Sequence, residues 1–298
     1  MPLGISPAKL AVMEIVFVTG KGGVGKSTLA AALAWRAADL GRRTLLVELG
    51  DQSFYGDYFE NSVVQYKPTL LRENLSVALW SGTECLKEYA LHLLKIEGLY
   101  RLFFENSVSR SLINVAPGLP ELAIMGKVTS GPPRNVGPVM PYDLMIVDAY
   151  ASGHFMALLN AAYGMAQAVS FGPMADQARG IHAVLCNSQI CSFYITTLAE
   201  DLPVAETLEL SKGIEKVIGS KPKILLNRCI EMDEVISSEL AQKSEFTNYL
   251  YQSQLREKKA LNSLSEMTVF NFPWVLKNDS KDLVSELAKF AAKVIPHV

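Results

Sequence analysis

The run Gly20-Lys21-Gly22-Gly23-Val24-Gly25-Lys26-Ser27-Thr28 has the residue types and spacing to hold a polyphosphate. Its glycines let successive backbone N–H groups turn inward around phosphate oxygens, where a Cβ would obstruct them. Lys26 is placed to reach the β- and γ-phosphates of a nucleoside triphosphate, and the Ser27 hydroxyl to bind Mg²⁺. A second element lies far along the chain. Tyr142-Asp143-Leu144-Met145-Ile146-Val147-Asp148 is an apolar strand ending in a carboxylate, which would hold a water on Mg²⁺ opposite Ser27. The loop after it, Ala149 to His154, is built from small residues around Gly153, so it can approach a γ-phosphate and withdraw. His154 reads equally as a capping or packing residue and as a γ-phosphate sensor.

Such groups work only if a scaffold brings them together. Apolar runs near 14–19, 43–48, 75–79, 143–148, 190–196, 222–227 and 267–271 read as strands. Helical patterns fill 26–40, 84–105, 154–171, 174–186, 204–218, 232–259 and 279–294. The alternation predicts an α/β fold: a doubly wound, mainly parallel sheet of the P-loop NTPase type. The phosphate-binding run sits between the first strand and the first helix, so the helix adds its free N–H groups and positive dipole end. Residues 82–137 break the alternation with helices and proline-rich turns. The expected organisation is a single domain over 14–298 carrying 82–137 as a helical insertion.

Composition narrows the alternatives. Of the 298 residues, 49% are hydrophobic and 19% charged, enough for a large core. A net charge of −2 gives no electrostatic case for nucleic-acid binding. Cys85, Cys186, Cys191 and Cys229 form no CxxC pair, which argues against a structural zinc or redox motif. Residues 1–13 lack the long apolar core of a secretion signal, and thiols beside a nucleotide site suit a reducing cytoplasm. Near the C-terminus, Leu283, Val284, Leu287, Phe290, Ala291, Val294 and Ile295 make an apolar stripe at helical spacing. It reads either as a face packed on the sheet or, as in MinD- or ParA-like positioning ATPases, as a docking helix peripheral to the inner membrane.

With both nucleotide motifs placed, the chain resembles the anion-transporting ATPase family, which contains the arsenite-pump ATPases and those that target tail-anchored membrane proteins. Gly20 to Thr28 matches that family's P-loop, and Asp148 to His154 its second switch, with Tyr150 and Ala151 departing from Ala-Pro. The resemblance implies ATP and Mg²⁺ as ligands. It implies a dimer in which Lys21 reaches the nucleotide of the other subunit, a cation in trans as an arginine finger is. It implies an adenine-binding role for Asn227 and a place beside the base for Pro273. It implies a nucleotide-switched surface for a membrane-protein or anion client. A closer resemblance, to a bacterial branch of paired ATPase subunits, rests on Tyr100 to Glu105, Ala116 to Leu122 with Gly126-Lys127-Val128, and Leu202 to Thr207. The partner is thus a second copy or a paralogous subunit. In the family the second strand ends in an Asp that positions the attacking water. Gapless matching puts Gly50 there; a shift of one residue puts Asp51 there, and Glu48 is also nearby. The implied function is an ATPase whose nucleotide state switches a partner surface, or an ATP-binding regulatory subunit with little hydrolysis of its own.

Overall fold

The computed structural model describes residues 12–59, 63–94, 118–131, 134, 136–168, 171, 173–230 and 236–296. Eight strands form one sheet: β1 Glu14–Gly20, β2 Thr44–Leu49, β3 Thr69–Arg72, β4 Leu75–Trp80, β5 Leu144–Ala151, β6 Cys191–Leu198, β7 Lys223–Cys229 and β8 Val269–Pro273. Their order is β3-β4-β2-β5-β1-β6-β7-β8, and every pairing is parallel except that of β3 with β4. β1 is central, with β5 on one side and β6 on the other, so the chain leaves it in both directions. Ligands of doubly wound sheets bind at such a reversal, beyond the carboxyl ends of the strands.

Both faces of the sheet are buried. Ile15 and Phe17 point into one core and Val16 and Val18 into the other, as the two-residue period of a strand requires. The second core is covered by α1 (Lys26–Asp39), whose residues Leu29 to Trp35 are all buried, and by α10 (Ser280–Phe290). The first is covered by α4 (Leu119–Val128), α5 (Ser152–Ala168), α6 (Pro173–Leu185) and α7 (Asp201–Ile218), with α3 (Gly82–Leu94) contributing Cys85 and Leu86. Leu122 to Met125 of α4 belong to the same core as β1, β2 and β5, so this part of the 82–137 segment helps to cover the sheet.

Three elements differ from the sequence expectation. β3 is an added antiparallel edge; it is short, and Leu70 projects outward at 70% exposure, so no alternating apolar pattern marks it. The expected helix over 232–259 is instead α8 (Ser238–Ala241) and α9 (Glu245–Ser263). Ser244 starts α9 with a reciprocal capping box to Thr247, which ends any continuous helix there. The last helix stops at Phe290 in a single 3₁₀ turn. Of its stripe, Val284, Leu287, Ala291, Val294 and Ile295 are buried in the core with α1 and Leu283 and Phe290 pack partly buried against it, the first of the two readings of that stripe. Among the described residues no helix is long and apolar enough to cross a membrane. Tyr100 to Glu105, Ala116-Pro117, Pro132-Pro133 and 232–235 lie outside the described residues.

Candidate functional site

β1 delivers the Gly-rich loop to the carboxyl edge of the sheet, and two close approaches explain its glycines. A Cβ on Gly20 would lie 2.3 Å from the Thr196 carbonyl oxygen of β6. Gly25 caps α1 at φ 86°, and a Cβ there would lie 2.3 Å from the Asn227 amide nitrogen. Around Gly22 and Gly23 the space is open. The α1 N-terminus has neither a side-chain cap nor an acidic residue in its first turn, so its N–H groups are left for an anion. Val24 is buried, and the Thr28 hydroxyl accepts a hydrogen bond from Tyr58 at 3.3 Å.

Sheet register sets the acidic side of the site. Val18 of β1 and Glu48 of β2 both pair with Asp148 of β5. Asp148 is buried and salt-bridged to the Lys26 ammonium. The Tyr55 hydroxyl, in the short helix α2 (Tyr55–Tyr58), lies 3.1 Å from the other Asp148 oxygen and 2.8 Å from the Ser27 carbonyl. Burial, reinforced by Asp148 and Glu48, pushes the Tyr55 phenol well above its ordinary value, so it remains a donor. Asp148, remote in sequence, is therefore brought to Lys26 and Ser27, and Tyr55 joins them. Sequence reasoning did not find Tyr55. The cluster Phe54, Tyr55, Tyr58 and Phe59 was the available signal, but nothing local says that one hydroxyl turns inward.

The other carboxylates behave differently. Glu48 accepts from the Ser53 hydroxyl at 2.7 Å and the Phe54 N–H at 2.6 Å, which commits it to the start of α2. Burial raises its carboxyl above the usual range, with those donors opposing. Asp51 is exposed on the other side of Gly50, whose N–H bonds to the Trp80 carbonyl at 3.2 Å. Its charge is felt at Tyr150, whose phenol is pushed up to about 12, first by burial and then by Asp51. The Thr19 hydroxyl donates to the Tyr150 carbonyl at 2.8 Å, tying the end of β1 to the end of β5; the loop expected over Ala149 to His154 is instead the end of β5, at Ala151, and the start of α5, at Ser152. His154 is exposed beside the Tyr150 ring.

Asn227 sits near the end of β7. Its amide donates to the Val24 carbonyl at 2.8 Å and accepts from the Arg228 N–H at 2.9 Å, leaving one N–H and one lone pair. A cavity of about 180 Å³ beside it is lined by Leu198, Glu200, Arg228, Tyr249 and Trp274. Pro273 ends β8, paired with Cys229. Lys21 is held in cis: its ammonium lies 2.7 Å from Glu206 of α7, with both side chains 35% exposed. Among the described residues no cluster of His, Cys, Asp and Glu has metal-site geometry, and the cysteines form no disulfide. One hydroxyl and one carboxylate at the foot of an uncapped helix suit Mg²⁺, which takes few protein ligands and keeps waters and phosphate oxygens.

Comparison with known proteins agrees with this geometry. A family model described as anion-transporting ATPase matches residues 13–172, the stretch that holds the loop, Asp148 and Tyr55. The chain is 30% identical over 235 residues to the ATPase BagA of Mycobacterium tuberculosis, covering 75% of this chain and 67% of that one. It is 31% identical over 150 residues to the ATPase ASNA1 homolog 1 of Paramecium tetraurelia, covering 50% and 43%. It is 30% identical over 153 residues to a putative arsenical pump-driving ATPase of Aquifex aeolicus, covering 49% and 48%. With more than half its length under one family model, on a mostly parallel sheet with helices on both faces, the chain belongs to the anion-transporting ATPase family.

Proposed function

We propose that this chain is a dimeric, Mg²⁺-dependent ATPase whose nucleotide state switches a surface for a partner or client. The observation that carries the reading is the Lys26–Asp148 pair beneath an open, glycine-lined loop. Lys26 leaves Asp148 for the β- and γ-phosphates, because a polyphosphate offers it more negative charge. Asp148 and Ser27 are then free to hold Mg²⁺, which neutralises charge on the transferring phosphoryl group. Tyr55 bridges Asp148 to α2, and Thr19 holds the Tyr150 carbonyl two residues after Asp148 in β5. A change at the phosphates is therefore felt at α2 and at the junction of β5 with α5. Asn227 reads adenine with its remaining donor and acceptor, and Pro273 lies beside the base. Residues 14–298 act as one ATPase domain with 82–137 as its helical insertion. The protein works in the cytoplasm, on a membrane-protein or anion client.

The exposed Asp51 and the Gly50 backbone favour a second reading. Here the chain binds ATP, hydrolyses it poorly, and completes a paralogous subunit through Lys21, which must first leave Glu206. A Cβ at Gly50 meets only the Gln52 carbonyl oxygen, at 3.7 Å, so Gly50→Asp is sterically tolerable. Titration with a fluorescent ATP analogue tests binding, and an unchanged affinity in Lys26→Ala would end the site assignment. Phosphate release then separates the readings. A regulatory subunit turns over slowly alone and raises its partner's turnover, and Lys21→Ala abolishes that rise. Gly50→Asp speeds the isolated chain. Brisk turnover by the native chain, lost on Asp51→Ala, makes Asp51 the working carboxylate.

A further inference from the structure

Tyr55 is wholly buried, and its hydroxyl has two acceptors for one proton. The Ser27 carbonyl lies at 2.8 Å and Asp148 Oδ2 at 3.1 Å. The phenol can donate well to only one of them at a time. The two oxygens of Asp148 have different partners, because the Lys26 ammonium takes Oδ1. Ser27 lies in the first turn of α1, so the helix gives its carbonyl the Ala31 N–H as a second donor.

The phenol arrives on a fixed arm. Its ring packs against the rings of Phe54, Tyr58 and Phe59, with centroids 5.5, 6.4 and 5.8 Å away. Tyr58, three residues on and therefore on the same face of α2, reaches the Thr28 hydroxyl. Glu48 accepts the Phe54 N–H at the start of the helix. These contacts hold α2 against β2 and α1 without help from the Tyr55 hydroxyl.

We propose that Tyr55 is a positioning residue for the metal carboxylate: when Lys26 leaves Asp148, the phenol proton turns from the Ser27 carbonyl to Asp148 Oδ2 and keeps the carboxylate oriented with Oδ1 vacated. Without the ammonium, Asp148 is a buried anion, and a hydrogen bond to an ionised acceptor is stronger than one to a neutral carbonyl. The Ser27 carbonyl keeps its helical partner, so the exchange leaves no buried polar group unpaired. A carboxylate free at both oxygens can rotate; one held at Oδ2 presents Oδ1. The metal part of this inference rests on the reading of Asp148 and Ser27 as the groups that hold Mg²⁺.

Two measurements on the full chain test it. The first uses no metal: urea unfolding, in a chelator and without nucleotide, of the native chain, Tyr55→Phe, Lys26→Met and the double variant. The phenylalanine ring keeps the ring contacts. Tyr55→Phe lowers the unfolding midpoint further in the Lys26→Met background than in the native chain, because among the described side chains only the phenol then donates to Asp148. Equal shifts in the two backgrounds overturn the exchange. The second is a Mn²⁺ titration, followed by electron paramagnetic resonance, at saturating non-hydrolysable ATP analogue. Tyr55→Phe weakens Mn²⁺ binding roughly tenfold, the size of a hydrogen bond to a charged group, and changes affinity for the analogue in chelator by less than about twofold. In an Asp148→Asn background Tyr55→Phe weakens Mn²⁺ no further, whereas a role confined to holding α2 would weaken it there too. Native Mn²⁺ affinity in Tyr55→Phe, or an equal loss in the Asp148→Asn background, overturns the positioning role. Native Mn²⁺ affinity in Asp148→Asn itself overturns the metal reading and the positioning role together, and the metal-free cycle tells that failure from failure of the exchange.

Discussion

Replacing Lys26 with Met removes the ammonium and keeps most of the stem, so it isolates the Lys26–Asp148 ion pair. Asp148 is 3% exposed at its side chain and Lys26 16%. Removing one partner of a buried pair costs roughly 3–5 kcal/mol, because the other charge stays desolvated. Two features place this case at the low end. The Tyr55 hydroxyl still lies 3.1 Å from Asp148, and the lysine side of the pair is reachable by water. The expected loss is about 3 kcal/mol, or a fall in Tm of roughly 6 °C for a chain of this size. Adding Asp148→Asn removes the orphaned charge, and the double variant should recover about 2 kcal/mol of the loss. The assay is urea and thermal unfolding of all four proteins, without nucleotide and with a chelator present, so that ligand binding does not contribute. A single variant within about 0.5 kcal/mol of native, or a double variant no better than the single, would refute the view that Asp148 depends on Lys26 in the ligand-free protein.

Three further outcomes follow from the geometry. Gly25→Ala puts a Cβ 2.3 Å from the Asn227 amide at φ 86°, so it should cost about 2–4 kcal/mol from strain and the lost Val24 bond, and unfolding at native denaturant concentration would contradict this. Glu48→Ala strips the Phe54 N–H of its acceptor and should destabilise by about 1–3 kcal/mol, whereas Glu48→Gln keeps an acceptor there. Because burial raises the folded carboxyl above its ordinary 4.5, the native chain loses stability as pH rises through the window just above that value; Glu48→Gln should gain on it across that window and run parallel at higher pH, as paired melts at stepped pH will show. Asn227→Ala should narrow the preference for ATP over GTP by about 1–3 kcal/mol, and equal binding of both by the native chain would exclude the adenine role.

Much of this protein was legible from local pattern. The Gly-rich run, the apolar strand before it and the alanine-rich helix after it lie within consecutive residues, so composition alone identifies β1, the loop and α1. Asp148 was legible only in combination: a carboxylate after an apolar strand is an ordinary feature alone, and the Gly-rich loop elsewhere in the chain gives it a role. Seven strands follow from apolar runs, the central ones buried on both faces. β3 escaped because its exposed leucine breaks that rule, and the break before α9 because a Ser–Thr cap is a weak signal within a helical composition.

What the tertiary structure decided is which side chains meet. Lys21 faces Glu206 because α7 lies beside the loop, a contact across 185 positions that no spacing encodes. Tyr55 reaches both Asp148 and Ser27 because β2 and β5 are neighbours and α2 folds back over their ends. The C-terminal stripe could suit a membrane or a core, and contact with α1 assigned it to the core. Hydrophobic period and glycine placement are properties of neighbouring residues, so the chain displays them directly; desolvation and charge pairing depend on distance in space, which only the packed sheet and its helices set.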